Sequence, residues 1–408
     1  MSQRKLPNLV PTQPSIAAKP MIVAGVMSGT SADGIDIALV RIRPGRDGGS
    51  PALKLLGHVH TPYPKKLREA VLAAMDAQEI STAELARLHW RLGEVYGDAV
   101  SQAQQDWNVR AKIVGLHGQT VYHQSVPTKY LGTPLRCTWQ LGESAEVAAR
   151  TGLPVVSDFR PADMVADGQG APLVPMLDRV LYAHPKRNRI LQNLGGIANM
   201  TALPAASGDV LAFDSGPANV VIDGCMQRLY GKQFDRNGAI AAKGRVLQSV
   251  VDHLLQLPYF ALPAPKSCGR EEFGGAFITR LLEACRSVGA GNADVIATAT
   301  ALTAQSILQA YRAMVWPFLG QRAPLADATD YIIAGGGARN ATLLRMLREG
   351  LEPLGVTVRV SEETGIPAEA KEAVAFALLA WLRLHGMPGN VPAATGANRP
   401  ALLGKVTL

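Results

Sequence analysis

Apolar positions recur along this chain with two periods, and the clearest example opens it. Ile22-Val23-Ala24-Gly25-Val26-Met27 is a continuous apolar run of the length a buried strand needs, while Ile35, Ile37 and Leu39 alternate with Asp36 and Ala38 as far as Val40. The pattern predicts two strands joined by Ser28-Gly29-Thr30-Ser31-Ala32-Asp33-Gly34. Leu53–His60 predicts a third strand, ended by Pro62 and Pro64. The period then lengthens. Ser81-Thr82-Ala83-Glu84 has capping-box spacing, and Leu85, Leu88, Leu92, Val95 and Ala99 recur at helical intervals, predicting an amphipathic helix to about Ala103.

Ile113–Leu116 reads as a short strand that runs into a polar turn, His117-Gly118-Gln119-Thr120. Glu143–Thr151 predicts a helix, Pro154-Val155-Val156 a strand, and Ser157–Asp163 a polar connection of alternating charge. After the glycine-rich turn Gly168–Pro172, a helix is expected over Leu173–Ala183 and a strand from Arg189. The opening pattern then recurs: Ile190–Asn193, a turn at Gly195-Gly196, and renewed apolar alternation to Met200. Leu211-Ala212-Phe213 delivers Asp214 into a turn before a helix over Val220–Tyr230. A helix is expected over Ala297–Met314. Tyr331–Ala334 is a buried strand that ends in Gly335-Gly336-Gly337 before a helix over Ala341–Glu349, and Gly365-Ile366-Pro367 leads an apolar helix with Glu369 and Glu372 in its first turns.

Composition describes a turn-rich globular enzyme more readily than a fibre or a disordered protein. With 408 residues, 47% apolar content and 40 glycines, the chain is long enough for two domains with their own cores. No run approaches the roughly 18 apolar residues of a membrane span, and residues 1–20 lack a secretory apolar core, so they read as a flexible tail of a cytoplasmic protein. The net charge of +8 is dispersed and forms no patch of the kind that nucleic acid requires. Cys137, Cys225, Cys268 and Cys285 form no metal-ligand spacing and no disulfide framework, and no metal ligand is assigned.

The candidate chemistry lies in the turns. The loop from Ser28 to Gly34 offers glycine backbone, hydroxyls and one carboxylate, the equipment for cradling phosphate oxygens, although the same residues also describe an ordinary hairpin turn. It is neither a Walker A loop nor a dinucleotide fingerprint, because no Gly-Lys-Ser/Thr follows and a strand comes next where a helix is required. His117 lies at a strand end, where either a ligand contact or a packed core imidazole is expected. Arg160 between Asp158 and Asp163 suits a sugar pocket or a structural ion pair. Three successive glycines ahead of a helix N-terminus suit a nucleotide, or a tight turn.

The order of these pieces resembles the sugar kinase, Hsp70 and actin superfamily. Within it, GVMSGTSADGIDIALV, HGQT, PVVSDFR, GQGAPLVP, NLGGIAN, FDSGPANVVID, FDRNGAIAAKG, PKSCGREEF, AGGGARN and GIPAEAKEAVAFA resemble the anhydro-N-acetylmuramic acid kinases over about Gly25 to Gly404. The chain departs from the family pattern at Leu116, at Cys268 in place of Thr, and in the stretch between Pro161 and Gly168.

The resemblance implies a two-lobed, ribonuclease H-like α/β fold with a nucleotide cleft between lobes. The lobes are expected at 21–151 plus 375–408 and at 152–374. It implies ATP and Mg²⁺ as cofactors, a small amino sugar as substrate, no nucleic-acid or membrane partner, and, by resemblance alone, a homodimer. Gly29, Thr30, Ser31, Ala32, Asp33, Gly34, Ile35 and Asp36 would hold the ATP phosphates with Gly195 and Gly196, and Gly335, Gly336 and Gly337 would line the adenosine pocket. Asp214 would be the catalytic base beside Glu372, and His117, Gln119, Thr120, Arg160, Asp163 and Asn219 would meet the sugar.

The implied reaction opens and phosphorylates 1,6-anhydro-N-acetylmuramic acid in peptidoglycan recycling. The alternatives are a kinase for another amino sugar and a non-catalytic, sugar-responsive ATP-binding protein. A regulator would add a helix-turn-helix and a folding-assistance ATPase a peptide-binding domain, and neither is expected from this chain.

Overall fold

The computed structural model describes residues 19–45, 49–322, 328–360 and 366–408. Most of the expected N-terminal tail, and Gly365 at the head of the last long helix, lie outside them. The chain divides into two compact units, the first running to Val180 and resuming over Glu369–Leu408, the second covering Leu181–Ala368.

In the first unit, β1 (Met21–Ser28), β2 (Gly34–Arg43) and β3 (Ala52–Pro62) form an antiparallel meander. The core sides of β1 and β2 are almost wholly buried, as their apolar runs require. Helix α1 (Lys65–Asp76) and the long α2 (Thr82–Asp106) follow. Ser81 caps α2 by accepting from Glu84 N at 3.1 Å, and Leu88, Leu92, Tyr96, Ala99, Val100 and Ala103 bury its apolar stripe.

Strand β4 (Ile113–Tyr130) is far longer than the sequence pattern suggests, because it continues through His117-Gly118-Gln119-Thr120 instead of turning there. Gly118 permits this: its φ is +79°, and a Cβ would sit 2.7 Å from the carbonyl of Leu141 in β5 (Thr133–Leu141), the antiparallel partner. Next come α3 (Ser144–Thr151), β6 (Val155–Ser157), α4 (Phe159–Val165) and α5 (Pro175–Tyr182). The stretch expected to be a connection after Ser157 is therefore helical from Phe159.

The second unit repeats this plan. A meander of β7 (Arg187–Leu194), β8 (Ile197–Leu203) and β9 (Leu211–Pro217) is followed by α6 (Asn219–Tyr230) and the helical layer α7 (Gln248–Leu255), α8 (Pro258–Ala261), α9 (Arg270–Phe273), α10 (Gly275–Ser287), α11 (Asn292–Ala310) and α12 (Trp316–Arg322). Strand β10 (Ala328–Ala334), α13 (Ala341–Leu351) and β11 (Val356–Val360) complete it. The chain then returns to the first unit through α14 (Lys371–Leu384), α15 (Pro392–Thr395) and β12 (Lys405–Thr407).

The first sheet runs β12-β6-β4-β1-β2-β3, with β5 attached to β4, and the second β11-β10-β7-β8-β9. In each, the first strand of the meander pairs in parallel with the strand that follows the helices, β1 with β4 and β7 with β10, and a further parallel strand lies outside. The two halves thus share one strand order, that of the ribonuclease H-like plan, and their first turns, β1–β2 and β7–β8, occupy the same topological place.

The unit boundaries differ from those expected. Residues 152–180 pack with the first unit because β6 pairs with β4 and β12 pairs with β6. Residues 369–374 also belong there: Lys371 Nζ meets Asp178 Oδ1 at 2.7 Å, and Ala373 lies against β1. From Ala373 to Leu382 α14 is buried on every side, which its uninterrupted apolar sequence anticipates.

Candidate active site

The first unit builds its share of the site round the β1–β2 turn. Thr30, Ser31 and Asp33 are exposed, Gly29 is half-buried, and the turn closes through Ala32 N to Gly29 O at 3.1 Å. Its footing is a chain of hydroxyls. Ser28 Oγ meets Tyr96 OH at 2.8 Å, Tyr96 OH meets Tyr63 OH at 2.9 Å, and Tyr63 OH donates to Gln119 Oε1 at 3.3 Å. Gln119 Nε2 returns the chain to Gly29 O at 3.1 Å. Gln119 is fully buried in this service, so the side chain expected at the sugar instead holds the loop.

Beyond the turn, Asp36 Oδ1 accepts from His58 Nε2 at 3.0 Å and His60 Nδ1 at 3.1 Å. Burial would raise the Asp36 carboxyl, but these two imidazoles outweigh it and hold it below its ordinary value.

A second group in this unit joins β4, α4 and α14. Arg160 points its fork at His117, with Nε 3.1 Å and Nη2 2.9 Å from His117 Nε2, and Nη1 donates to Gly170 O at 2.8 Å. A ring nitrogen that accepts from a guanidinium carries no proton, so His117 is neutral with its hydrogen on Nδ1. Burial and the Arg160 charge push its pKa well below the usual imidazole value. The ring packs on Phe376 of α14, centroids 4.5 Å apart. Burial lowers Arg160 to about 10, with Glu372 opposing. Glu372 is exposed at the start of α14, yet the protein crowded round it raises its carboxyl by desolvation, against the pull of Arg160.

Asp163 departs from expectation. It is fully buried, and its oxygens are taken by Gly170 N at 2.8 Å, Asn390 Nδ2 at 2.7 Å and Thr395 Oγ1 at 2.7 Å. These bonds tie the 163–170 loop, and with it the carbonyl that holds Arg160, to the C-terminal segment. Asp163→Ala leaves these donors buried and unpaired, so stability is expected to fall by about 2–3 kcal/mol, read as the shift in urea midpoint at unchanged slope. Thr120 is half-buried and accepts from Gln140 Nε2 at 3.2 Å.

The second unit centres on Asp214. Asp214 lies within β9, not in a turn: the β8–β9 register slips between Ala198 and Asn199, leaving a bulge at Ser215 that re-aims the side chain. Oδ2 accepts from Cys268 N at 3.0 Å, and the Asp214 carbonyl accepts from Tyr259 OH at 2.7 Å. Desolvation pushes its carboxyl up to about 6, with the Cys268 N–H and Lys266 lowering it and Glu271 raising it. Burial also pushes the Cys268 thiol up to about 12, so it stays protonated.

Asn219, expected at the sugar, spends its amide on the glycine turn: Nδ2 donates to Leu194 O at 3.1 Å and Gly195 O at 2.8 Å, while its backbone N reaches Gly195 O at 3.0 Å. The glycines divide by what a Cβ would meet. At Gly335 (φ +86°) it would lie 2.6 Å from Asn193 Oδ1, and at Gly337 2.7 Å from Leu194 Cβ, so packing within the protein explains both. Gly34 is likewise closed by the Thr61 carbonyl. At Gly195, Gly196 and Gly336 the nearest atoms are 3.5, 3.9 and 3.9 Å away, and at Gly29 3.7 Å. Protein packing does not demand glycine at these four positions, whereas a ligand lying on the backbone would.

A profile of the anhydro-N-acetylmuramic acid kinase family matches residues 21–408. A protein of that name from Bacillus cereus (strain Q1) is 39% identical over 392 residues, covering 95% of this chain and 99% of its own, and one from Bacillus anthracis is 38% identical over the same span. The chain belongs to the anhydro-N-acetylmuramic acid kinase family. A ROK hexokinase from Thermus thermophilus overlays at 15% identity with a TM-score of 0.33, over 88% of this chain and 100% of that one, too slight a likeness to bear on the fold.

Within this kinase family framework, several side chains escaped the sequence reading. Tyr63 and Tyr96 support the turn, His58 and His60 hold Asp36, and Tyr259 and Lys266 surround Asp214. Only the run Pro265-Lys266-Ser267-Cys268 carried a signal, as part of the PKSCGREEF motif. The others sit in ordinary strand and helix patterns.

Proposed function

We propose that the protein is an ATP-dependent anhydro-N-acetylmuramic acid kinase that converts the 1,6-anhydro sugar, ATP and water to N-acetylmuramic acid 6-phosphate and ADP. The observation that carries the chemistry is Asp214, a carboxylate with one oxygen fixed by Cys268 N and a pKa of about 6, ionised at neutral pH yet basic enough to accept a proton. It takes that proton from a water attacking the anomeric carbon. The C1–O6 bond breaks, and O6 attacks the γ-phosphorus as the bond to ADP breaks. The sugar end resembles inverting glycoside hydrolysis, and the phosphoryl end is mainly a matter of positioning.

Gly29–Asp36 and Gly195-Gly196 supply backbone for the phosphates, and Gly336 the open floor beneath the adenosine, with Gly335 and Gly337 shaping it. On the first unit, Arg160 and Glu372 suit sugar oxygens, with neutral His117 orienting Arg160 and Thr120 at the margin. Among the described residues no cluster of three or more His, Cys, Asp or Glu stands ready for a bare metal ion. Mg²⁺ at a transferring phosphate needs only one or two carboxylates, the rest being phosphate oxygens and waters. The exposed Asp33, whose Oδ1 takes the Ser31 hydroxyl at 2.8 Å, fits that use together with Asp36. When bound, the ion would neutralise phosphate charge.

Among the described residues no helix is long and apolar enough to cross a membrane. ADP release is to be measured with anhydro-N-acetylmuramic acid, N-acetylmuramic acid, N-acetylglucosamine and no sugar. Stimulation by the anhydro sugar alone, with the phosphate on O6, is expected. Stimulation by another of these sugars would make it a kinase of different specificity, and release indifferent to sugar would overturn the reading.

A further inference from the structure

Asp214 is gripped by one short segment of chain. Its backbone N donates to Lys266 O at 2.9 Å, and two residues on Cys268 N donates to its carboxylate at 3.0 Å. Tyr259 OH holds its carbonyl from another side. The Lys266 side chain is itself immobilised: Nζ donates to Tyr259 O at 3.1 Å and Phe260 O at 3.4 Å, and stands 4.6 Å above the Tyr259 ring. Its third N–H has no acceptor among the described residues. Besides burial, three groups act on the Asp214 carboxylate: the Cys268 backbone N–H favours its ionised form through a hydrogen bond, the Glu271 charge disfavours it, and the Lys266 charge favours it.

We propose that Lys266 is a positioning residue whose ammonium, fixed by the Tyr259 and Phe260 carbonyls, keeps Asp214 in the ionised form that accepts the proton of the attacking water. This rests on Asp214 being the base. Burial of the carboxylate and the neighbouring Glu271 both favour its protonated form, and a protonated Asp214 accepts nothing. The fixed ammonium opposes them. Two carbonyl bonds and a ring face are more restraint than a surface lysine needs, and they leave the charge where the carboxylate feels it; burial lowers the Lys266 pKa while Cys268 and Asp214 raise it, as expected of a coupled pair.

The test is the pH profile of sugar-dependent ADP release. The wild-type rate should fall as pH drops through about 6. Lys266→Gln keeps amide donors for the two carbonyls and removes the charge, and Lys266→Met removes both; either neutral variant that retains a cooperative melt serves. Their acid limb should move up by about one pH unit, so activity at pH 6 falls about fivefold, and about tenfold further down the limb, while activity at pH 9 stays within about twofold of wild type. Lys266→Arg should return the limb to the wild-type position.

A loss of equal size at every pH, or a limb that does not move, would overturn the proposal and leave Lys266 a structural clamp. Should neither neutral variant fold, the Lys266→Arg profile decides: a limb displaced from wild type despite the retained charge overturns it. Near-normal activity of Asp214→Asn would instead remove the base on which the proposal stands, so the two failures are separable.

Discussion

Asp214→Asn should lower turnover by about two to four orders of magnitude, the usual worth of a general base, while ATP affinity stays within about twofold of wild type. The amide is nearly isosteric and its oxygen can still accept from Cys268 N, so the bulge that aims the side chain is kept and only the basicity is lost. Sugar-dependent ADP release measures the first expectation and nucleotide titration the second. Near-normal turnover would take Asp214 out of the role.

A stability measurement separates this loss from unfolding, because the two have opposite signs. The folded-state pKa of about 6 lies above the ordinary carboxylate value of 3.8, so the protonated side chain favours the fold below about pH 4, and that contribution disappears as pH rises through 6. At pH 7.5 the ionised carboxylate is therefore a burden on the fold that the neutral amide removes. The variant should melt no lower than wild type there, as expected where a site holds a charge in place at the expense of stability.

What the sequence revealed follows from the range of the interactions involved. Ser81 and Glu84 announce a helix start three residues apart, and the alternation from Ile35 to Leu39 announces its own strand, since a local period is all either needs. The apolar run from Leu211 to Phe213 announces the strand that carries Asp214, but not the bulge at Ser215 that keeps Asp214 inside it, because that depends on the register with β8. The surroundings of Asp163 were not legible: it looked like half of a charged pocket beside Arg160, but its partners Asn390 and Thr395 lie 227 and 232 residues away, and nothing local tells a substrate-facing carboxylate from a buried tie.

The same range separates Gln119 and Asn219 from a local reading, since their side chains hold the neighbouring loops. A polar side chain next to a ligand loop can serve the ligand or the loop, and only the tertiary positions of the Gly29, Leu194 and Gly195 carbonyls decide. The end of β4 was misjudged because Gly118 reads as a turn residue, whereas its positive φ accommodates the close carbonyl of β5 inside a continuing strand.

Gly25→Ala should cost about 3 kcal/mol or more, although the change adds one methyl group to the middle of an apolar strand. In the sequence Gly25 is an unremarked member of a strand. In the structure it pairs with Ala38 on one side and Gly115 on the other, and α14 crosses the sheet over the two glycines. A Cβ at Gly25 would fall inside the Ala373 carbonyl and 2.7 Å from Ala377 N; at Gly115 it would overlap the Phe376 carbonyl and approach Ala380 Cβ to 2.9 Å. These obstacles are mostly helix backbone, which has no rotamer to change, so α14 has to lift off the sheet as a body.

Because Ala373 follows Glu372 directly, and Phe376 supports the His117 ring, lifting α14 would also displace the carboxylate and loosen the imidazole that Arg160 addresses. Urea unfolding of Gly25→Ala should show a lowered midpoint at unchanged slope, and sugar-dependent turnover should be reduced even where the variant is fully folded. Gly115→Ala should behave alike. A midpoint within about 0.5 kcal/mol of wild type would show that α14 can shift at little cost, and that the contact between helix and sheet does not set the position of Glu372.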